Sequence, residues 1–349
     1  MRSLIELVIA LLIAALFFVG LGFLLPGEGR IQRSIEIERP AIQVFDAVNS
    51  LRRYAAWAPW TSSDPDAETQ FSEIDAGVGA QANWVSNKRS VGSGMHAITG
   101  GEREKFVDMR LNLGPGRDGT GKFLIEPQDV GVTLTMSYAT KFDGLMGRYK
   151  GLYLDSEQGD KLNLALASLK AMLENSPYAS DYSETAIETK VLLPGNALQL
   201  TNTSRGYSTD LLNIPRDRQV AIEKLEKVVA TNALTATGPQ FMELSRDDAA
   251  YVVTFDVTVP IDRVDNLKLL PDVKVVQTAG GKYLIGKHVG NREGWKIAGQ
   301  THDKMLAYLG VHDMRVSPIE SGRKQFVEYL SPPDTLEAQF ETNVYLPIE

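Results

Sequence analysis

The pattern of hydrophobic and polar residues changes along this chain, and each change predicts a different kind of element. Residues 7–25 are apolar or glycine throughout, nineteen residues without a charge. At 1.5 Å per residue, a helix of this length spans about 28 Å, close to the thickness of the hydrocarbon core of a bilayer. This run therefore predicts a transmembrane helix.

A cleavable signal peptide is the alternative for this segment. The apolar run exceeds the usual length of a signal-peptide core, and residues 24–27 (LLPG) offer no pair of small residues for cleavage. We therefore expect residues 1–30 to be a retained membrane anchor, with the span at about residues 5–25. The protein would then be a single-pass protein of the cell (inner) membrane, with the lipid bilayer as a partner.

The flanking basic residues leave the orientation of this anchor open. Arg2 precedes the span, whereas Arg30, Arg33 and Arg39 follow it, which by charge alone favours a cytoplasmic body. Large domains, however, cross membranes largely regardless of local charge, and a large body behind a very short N-terminal tail usually follows a signal anchor. We expect the soluble part to be periplasmic or otherwise extracytoplasmic.

The next segment alternates with the period of strands. Residues 31–38 alternate, a short helix opens after Pro40, and residues 69–142 read almost entirely as strands separated by glycine-rich turns. Residues 144–175 then repeat their apolar positions at helical spacing, which predicts one long amphipathic helix of about 45 Å. Small residues expected on its buried side leave room for a cavity: Ala165, Ala167 and Ala171. Close packing is the alternative.

Three stretches of this segment carry a family resemblance. IQRSIEIERPAIQVFDAVNSLRRYAAWAPW (31–60), GVGAQANWVSNKRSVGSGMHAIT (77–99) and DGLMGRYKGLYLD (143–155) resemble the polyketide cyclase/dehydrase branch of the START-like (SRPBCC) superfamily. The resemblance implies a helix-grip domain over residues 31–175, with a hydrophobic cavity between the sheet and the long helix. It does not imply catalysis, since many members bind apolar molecules. Aromatic residues assigned to the cavity are Trp57, Trp60, Trp84, Tyr149 and Tyr153.

A polar linker at residues 176–184 precedes a second domain, at 185–349, which repeats itself. Residues 255–262 match residues 342–349 at an offset of 87, and residues 241–244 match residues 326–329 at an offset of 85. Helical patterns at 216–234 and 294–309 occupy equivalent places. Each half is therefore predicted as β-α-β-β, and the groove between duplicated halves is a natural ligand site.

This second domain resembles the gyrase-inhibitor-like domain, which also serves as the effector-binding domain of AraC-type and MerR-type regulators. The resemblance rests on GGKYLIGKHVG (280–290), KQFVEYL (324–330) and ETNVYLPIE (341–349). It implies that Glu328 lies in a central pocket, with Tyr329 beside it, and meets cationic or aromatic small molecules. Residues assigned to the pocket walls are Tyr283, Trp295 and Tyr345. An exposed strand carboxylate is the alternative reading of Glu328.

Composition and motifs exclude several other classes of function. The formal charge is −8 and no basic run occurs, which argues against nucleic-acid binding. Without cysteine there is no thiolate nucleophile and no cysteine-ligated metal site. The four histidines show no metal-ligand spacing, so we expect neither a metal nor a cofactor. Residues 114–119 formally match GxGxxG, but a strand follows directly, which indicates a hairpin turn.

The predicted fold class is thus α+β, with one transmembrane helix, a helix-grip domain and a duplicated effector-binding-like domain. The favoured function is binding of a small hydrophobic or cationic ligand, for sensing, sequestration or transport. The alternative is an enzyme, either a cyclase or dehydratase or a hydrolase acting on an electrophile through Glu328 and Tyr329. A third hypothesis is a scaffold whose pockets have collapsed.

Overall fold

The computed structural model describes residues 2–58, 64–88, 91–114, 118–205, 214–247, 252–290, 294–318, 321–331 and 335–349. The chain divides into two compact units, Met1–Ala179 and Ser180–Glu349. Each unit contains one antiparallel sheet with helices packed on it. The α+β class predicted from the sequence is confirmed.

The chain begins with the helix α1, Arg2–Leu24. Its segment Glu6–Leu24 is long and apolar enough to cross a membrane, and a signal sequence near an N-terminus has the same properties. The predicted apolar helix is therefore present, whereas its retention in a membrane stays a prediction.

The first unit continues with a seven-stranded sheet in the order β1-β7-β6-β5-β4-β3-β2. Its elements are β1 (Glu28–Ile37), α2 (Ala41–Asn49), α3 (Leu51–Trp57), β2 (Glu68–Phe71), β3 (Gln81–Val85), β4 (Ser93–Glu102), β5 (Phe106–Asn112), β6 (Asp118–Pro127), β7 (Val132–Lys141), α4 (Gly144–Gly151) and α5 (Leu154–Glu174). Asn112 pairs with Asp118, so the GxGxxG match stands between two antiparallel strands and not between a strand and a helix.

The single long helix predicted over residues 144–175 is instead two helices, α4 and α5, separated at Leu152 and Tyr153. Just before the break the chain passes close to the ring of Phe142, so that a Cβ at Gly151 would collide with that ring. At the break, Leu152 and Tyr153 donate to the backbone oxygens three residues earlier, those of Tyr149 and Lys150, and α5 then packs along β1. Sequence periodicity alone does not reveal such a break.

The apolar face of α5 is also narrower than predicted. Ala165 is fully buried together with four leucines at helical spacing, but Ala167 and Ala171 are exposed. At about 100° per residue, position 167 lies on the opposite side of the helix from position 165. Two of the three alanines that were expected to border a cavity therefore face solvent.

The second unit is an eight-stranded sheet in the order β12-β9-β11-β10-β14-β15-β13-β8. Its elements are β8 (Ile187–Leu192), β9 (Gly195–Arg205), α6 (Ile214–Thr231), β10 (Phe241–Asp247), β11 (Val252–Pro260), β12 (Val273–Thr278), β13 (Gly281–Val289), α7 (Gly294–His312), β14 (Phe326–Tyr329) and β15 (Glu341–Pro347). The predicted β-α-β-β pattern did not include strands β8 and β12, which the structure adds. Strand β8 pairs with β13 and strand β12 pairs with β9, so each pairs with a strand from the other half of the sequence.

The two faces of this sheet differ. Leu225 of α6 and Met305 of α7 pack with alternate strand residues such as Leu284 and Val344 in the main core of the unit. The intervening strand residues point to the other face, because side chains alternate along a strand. There Tyr283, Ile285, Phe326 and Tyr345 form a separate small cluster. We call this second side the aromatic face.

Candidate functional site

Glu328 lies on the aromatic face, whereas Tyr329 does not. Phe326 belongs to the small cluster of that face and Val327 to the helix-side core, so alternation along β14 places Glu328 with Phe326 and Tyr329 with Val327. The Tyr329 ring instead lies 3.7 Å below the guanidinium carbon of Arg218. This corrects the expectation that Glu328 and Tyr329 share one pocket, as binding residues or as a catalytic pair.

The carboxylate of Glu328 is buried and accepts two hydrogen bonds from β15. The residue is only 7% exposed. Asn343, directly opposite in the strand register, donates from Nδ2 over 3.1 Å, and the hydroxyl of Tyr345 donates to the same oxygen, Oε2. In the described part of the chain, both hydrogen-bond partners of this carboxylate are therefore neutral.

The electrostatics of Tyr345 fit the role of a donor. Burial raises the pKa of its hydroxyl, and the hydrogen bond and charge of Glu328 raise this pKa further. A phenol in such surroundings keeps its proton across the physiological range. Tyr345 therefore acts as a neutral donor that fixes the carboxylate beside an aromatic wall.

Four aromatic rings form this wall. Phe326 stacks on Tyr345 with ring centroids 4.3 Å apart, and lies 4.6 Å from Phe241 and 5.4 Å from Tyr283. Burial raises the pKa of the Tyr283 hydroxyl, so this ring also stays neutral. Tyr283 and Tyr345 are thus brought together with Glu328. Phe241, Phe326 and Asn343 were missed, although the repeated F-x-E sequence at 241–243 and 326–328 could have indicated both phenylalanines.

A second carboxylate occupies the equivalent position on the same face. Strands β10 and β14 pair so that Glu243 lies opposite Phe326, and Phe241 opposite Glu328. The two glutamates therefore flank the pair of phenylalanines. Glu243 forms an ion pair with Lys324 over 3.3 Å, so this second carboxylate already has a cation of the protein itself.

Two of the tryptophans predicted to line the cavity of the first unit lie in a packed aromatic cluster. Trp57 is T-shaped to Tyr54 with centroids 4.4 Å apart, and Trp84 is T-shaped to His96 at 4.8 Å. Burial lowers the pKa of His96 to about 3, so this imidazole is neutral at ordinary pH. The cluster gives the first unit a close-packed centre at these positions.

The remaining predicted residues fall elsewhere. Tyr149 stacks on Phe18 of α1 with centroids 4.2 Å apart, and Tyr153 is exposed, so neither side chain lines the space between the sheet and α5. This corrects their assignment to the cavity. Trp60 lies outside the described residues, and so does the side chain of Trp295, the second residue of α7.

Metal binding finds no support in this geometry. Within the described ranges, no group of three or more His, Asp or Glu side chains is arranged to hold a metal ion. The described groups of the aromatic face are the carboxylates of Glu328 and Glu243, the neutral donors Asn343 and Tyr345, the aromatic rings, and the Lys324 ammonium paired with Glu243.

No protein-family model matches this chain, and no curated protein matches it either. Among solved structures, it is similar to a hydrolase from Listeria innocua at 17% identity, covering 47% of this chain and 91% of that chain, with a TM-score of 0.33. SAV2435 bound to tetraphenylphosphonium matches at 15% identity, covering 47% and 94%, with a TM-score of 0.34. EcmrR in its DNA complex matches at 10% identity, covering 59% and 73%, with a TM-score of 0.37. These likenesses are too distant to assign a function, which has to be argued from the site.

Proposed function

We propose that this chain is a membrane-anchored small-molecule-binding protein whose second unit binds cationic, aromatic compounds on the aromatic face. The observation that carries the proposal is the buried carboxylate of Glu328, held by two neutral donors. A buried charge is costly unless an opposite charge or sufficient hydrogen bonds compensate it. A cationic ligand supplies that opposite charge.

The aromatic rings add to the same preference. A cation over an aromatic face gains on the order of 1–2 kcal/mol when it is removed from water. The ring centroids of Phe326 and Tyr283 lie 4.3 and 6.3 Å from that of Tyr345, which donates to Glu328. A ligand that combines a delocalised positive charge with aromatic groups therefore gains from the carboxylate and from the rings. Sensing, sequestration and transport of such compounds all require this binding step.

We also propose that each unit belongs to the family that its sequence resembles. In the second unit, the strand order has matching halves, with β10 and β14 paired at its centre and β8 and β12 exchanged between the edges. This order supports a duplicated gyrase-inhibitor-like domain. In the first unit, seven antiparallel strands with β1 beside β7, and the C-terminal helix α5 packed on β1, support a START-like helix-grip domain.

The anchor part of the proposal rests on α1. We propose that it stays attached, spans the inner membrane once and leaves both units on the periplasmic side. Deletion of residues 1–27 should release a folded, soluble protein, whereas the full chain should remain in the membrane pellet after a carbonate wash. A full-length product that is cleaved near Gly27 and recovered in the soluble fraction would refute the anchor.

Two ions of similar shape and opposite charge test this binding. Tetraphenylphosphonium and tetraphenylborate each carry four phenyl rings and differ in the sign of their charge. Titration calorimetry of the purified full chain should show saturable binding of the cation and none of the anion at the same concentrations. Equal binding of both ions would indicate partition into an apolar surface or detergent, and would contradict the proposed role of Glu328.

A second candidate function is hydrolysis of an electrophile. The hydrogen bond between Tyr345 and Glu328 favours it, because a carboxylate next to a neutral phenol combines a nucleophile or general base with a proton donor. The catalytic partner of Glu328 would then be Tyr345 rather than Tyr329. Incubation with a small aromatic epoxide tests this function: diol should form with the wild-type protein and not with Glu328→Gln.

A further inference from the structure

The N-terminal helix and α4 are packed together in the first unit. Besides the stacked rings of Phe18 and Tyr149, the Tyr149 hydroxyl donates to the backbone oxygen of Phe18 over 2.6 Å. Gly22 permits this approach, since a Cβ there would lie 2.9 Å from the Tyr149 ring. The contact is specific, with an aromatic stack, a hydrogen bond and a close backbone approach at neighbouring turns of α1.

Arg148 of α4 holds the end of α1. Its guanidinium donates to the backbone oxygens of Phe23 and Leu25 over 3.0 and 3.1 Å. These are carbonyls at the C-terminus of the helix, which have no partner inside the helix and carry partial negative charge. A cation at this point stabilises the end of α1 and ties it to α4.

This packing fixes the depth of α4 along the candidate span. Phe18 precedes Leu24 by six residues, which corresponds to about 9 Å along the helix axis. The Tyr149 ring stacked on Phe18 is therefore level with the last turns of α1 rather than beyond its end. If α1 occupies a bilayer, α4 lies at the headgroup end of the span, and its Tyr149 ring reaches about 9 Å into the acyl chains.

The exposed residues of α4 and the two that follow it suit the headgroup end of a span. Met146, Leu152 and Tyr153 are 61%, 61% and 64% exposed, although they are large and apolar or aromatic. Lys150 is exposed in the last turn of the same helix. Apolar side chains, a tyrosine and a basic residue together are typical of protein segments at the boundary between acyl chains and headgroups.

We propose that α4 and the next two residues form a membrane-facing surface, consisting of Met146, Lys150, Leu152 and Tyr153, that inserts into the lipid interface beside α1. The inference rests on the proposed anchor and adds that the first unit is docked on the lipid rather than tethered at a distance from it. Continuity with the span identifies lipid as the occupant. Lys150 and the α1-bound Arg148 lie on the same short helix, so anionic headgroups strengthen the docking.

The absence of cysteine makes the experiment direct, because each introduced cysteine is the single thiol of the chain. The full chain is labelled with an environment-sensitive fluorophore at Met146→Cys, Leu152→Cys or Tyr153→Cys and reconstituted into phosphatidylcholine–phosphatidylglycerol vesicles at low protein density. Brominated acyl chains should quench these labels, and aqueous iodide should quench them several-fold less than a label at an exposed control position.

Val130→Cys is the matched control for exposure. Val130 is exposed in the β6–β7 turn, at the opposite end of β7 from Lys141 and α4, about 30 Å away at 3.4 Å per residue. Labels at positions 146, 152 and 153 that are as accessible to iodide as the Val130→Cys label would overturn the proposal. Protection that disappears when the protein is diluted further in lipid would also overturn it, because the occupant would then be a second copy.

A label at Leu12→Cys, in the middle of α1, separates this inference from the anchor itself. Quenching of that label by brominated lipid, combined with iodide access at position 152, would refute the docked surface and leave the anchor intact. Iodide access at both positions 12 and 152 would refute the anchor, and the docked surface with it.

Discussion

The two glutamates of the aromatic face, Glu243 and Glu328, occupy equivalent positions in the strand register but differ in the charge of their partners. Glu243 faces Asp256 across the β10–β11 pair, just as Glu328 faces Asn343 across the β14–β15 pair. Glu328 is buried with neutral donors, whereas the Glu243 side chain is 20% exposed and paired with Lys324.

The neighbours of the two carboxylates explain this difference. The second half has Asn343 and Tyr345 where the first half has Asp256 and Thr258. Asp256 brings a second negative charge beside Glu243 and accepts a hydrogen bond of 2.6 Å from Thr201. In this half of the sequence the cation comes from the protein itself, because Lys324 forms an ion pair with Glu243. On our proposal, the single carboxylate of Glu328, with its amide and phenol donors, takes its cation from a ligand.

The largest expected effect is the loss of affinity for a cationic ligand when Glu328, rather than Glu243, is replaced. Glu328→Gln keeps the size of the side chain and an acceptor oxygen for Asn343 and Tyr345, but removes the negative charge. We expect it to weaken tetraphenylphosphonium binding about tenfold to a hundredfold, as the loss of a charge-assisted contact of about 1.5–3 kcal/mol implies. The melting temperature should be nearly unchanged. Calorimetric affinities equal to those of the wild type would remove Glu328 from the site.

The stability of the Glu328 site depends on Tyr345 in particular. Tyr345→Phe removes the hydroxyl that donates to the buried carboxylate, which should destabilise the second unit by about 1–3 kcal/mol. Hydrogen exchange followed by mass spectrometry should show faster exchange in peptides that cover β14 and β15. Tyr283→Phe removes a hydroxyl from the same aromatic cluster and should have a smaller effect. Equal effects of the two changes would contradict a specific role of the Tyr345–Glu328 bond.

High pH should weaken the same unit, because its buried tyrosines resist ionisation. Burial raises the pKa of Tyr345, of Tyr283 and of Tyr329 above the usual value for tyrosine. In the unfolded chain these groups ionise near pH 10, while in the folded chain they stay neutral. The stability is therefore complete below about pH 10 and decreases as the pH rises further. Denaturant unfolding at several alkaline pH values should show this decrease.

The alkaline decrease should be smaller in Tyr345→Phe, which lacks one of the three groups. An unchanged dependence on pH in this variant would mean that Tyr345 ionises as readily in the folded protein as in the unfolded chain. Tyrosine absorbance, followed over the same range, distinguishes ionisation in the folded state from ionisation that follows unfolding.

The sequence predicted this site in part, and the reasons for its omissions are physical. The motif around position 328 and the closing ETNVYLPIE identified Glu328 and Tyr345, which the structure brings into hydrogen-bond contact. Tyr329 was assigned to the same pocket because it is adjacent in sequence. The alternation of side chains along a strand places adjacent residues on opposite faces, so the period of β14 already contradicted that assignment.

The boundaries of the elements show the limits of periodicity more clearly. Amphipathic spacing identified the apolar positions of α4 and α5 but not the break between them, where Leu152 and Tyr153 donate to backbone oxygens three residues earlier. Likewise, Tyr149 was assigned to the cavity between the sheet and the long helix, yet its ring packs on Phe18 of α1. A pattern shows that a face is covered, and tertiary contacts decide what covers it.

The smallest expected effect is that of replacing Lys324, and it tests the comparison of Glu243 with Glu328 most closely. The Lys324 side chain is 55% exposed, so its ion pair with Glu243 contributes about 0–1 kcal/mol to stability and its loss should leave the fold intact. In Lys324→Gln, the carboxylate of Glu243 loses its ion pair, so that this carboxylate, like that of Glu328, has no cation of the protein as its partner. We expect a second, weaker site for tetraphenylphosphonium in calorimetry.

Glu243→Gln is the matched control for that variant, because it removes the carboxylate and keeps the lysine. Its affinity for the cation should stay within about threefold of the wild type, since an exposed ion pair is exchanged for a solvated lysine. The combination of Lys324→Gln with Glu243→Gln should abolish the second site again. If Lys324→Gln instead binds a single equivalent with wild-type affinity, the neutralising role of Lys324 is refuted, and the contrast between the two halves rests on burial and the aromatic wall alone.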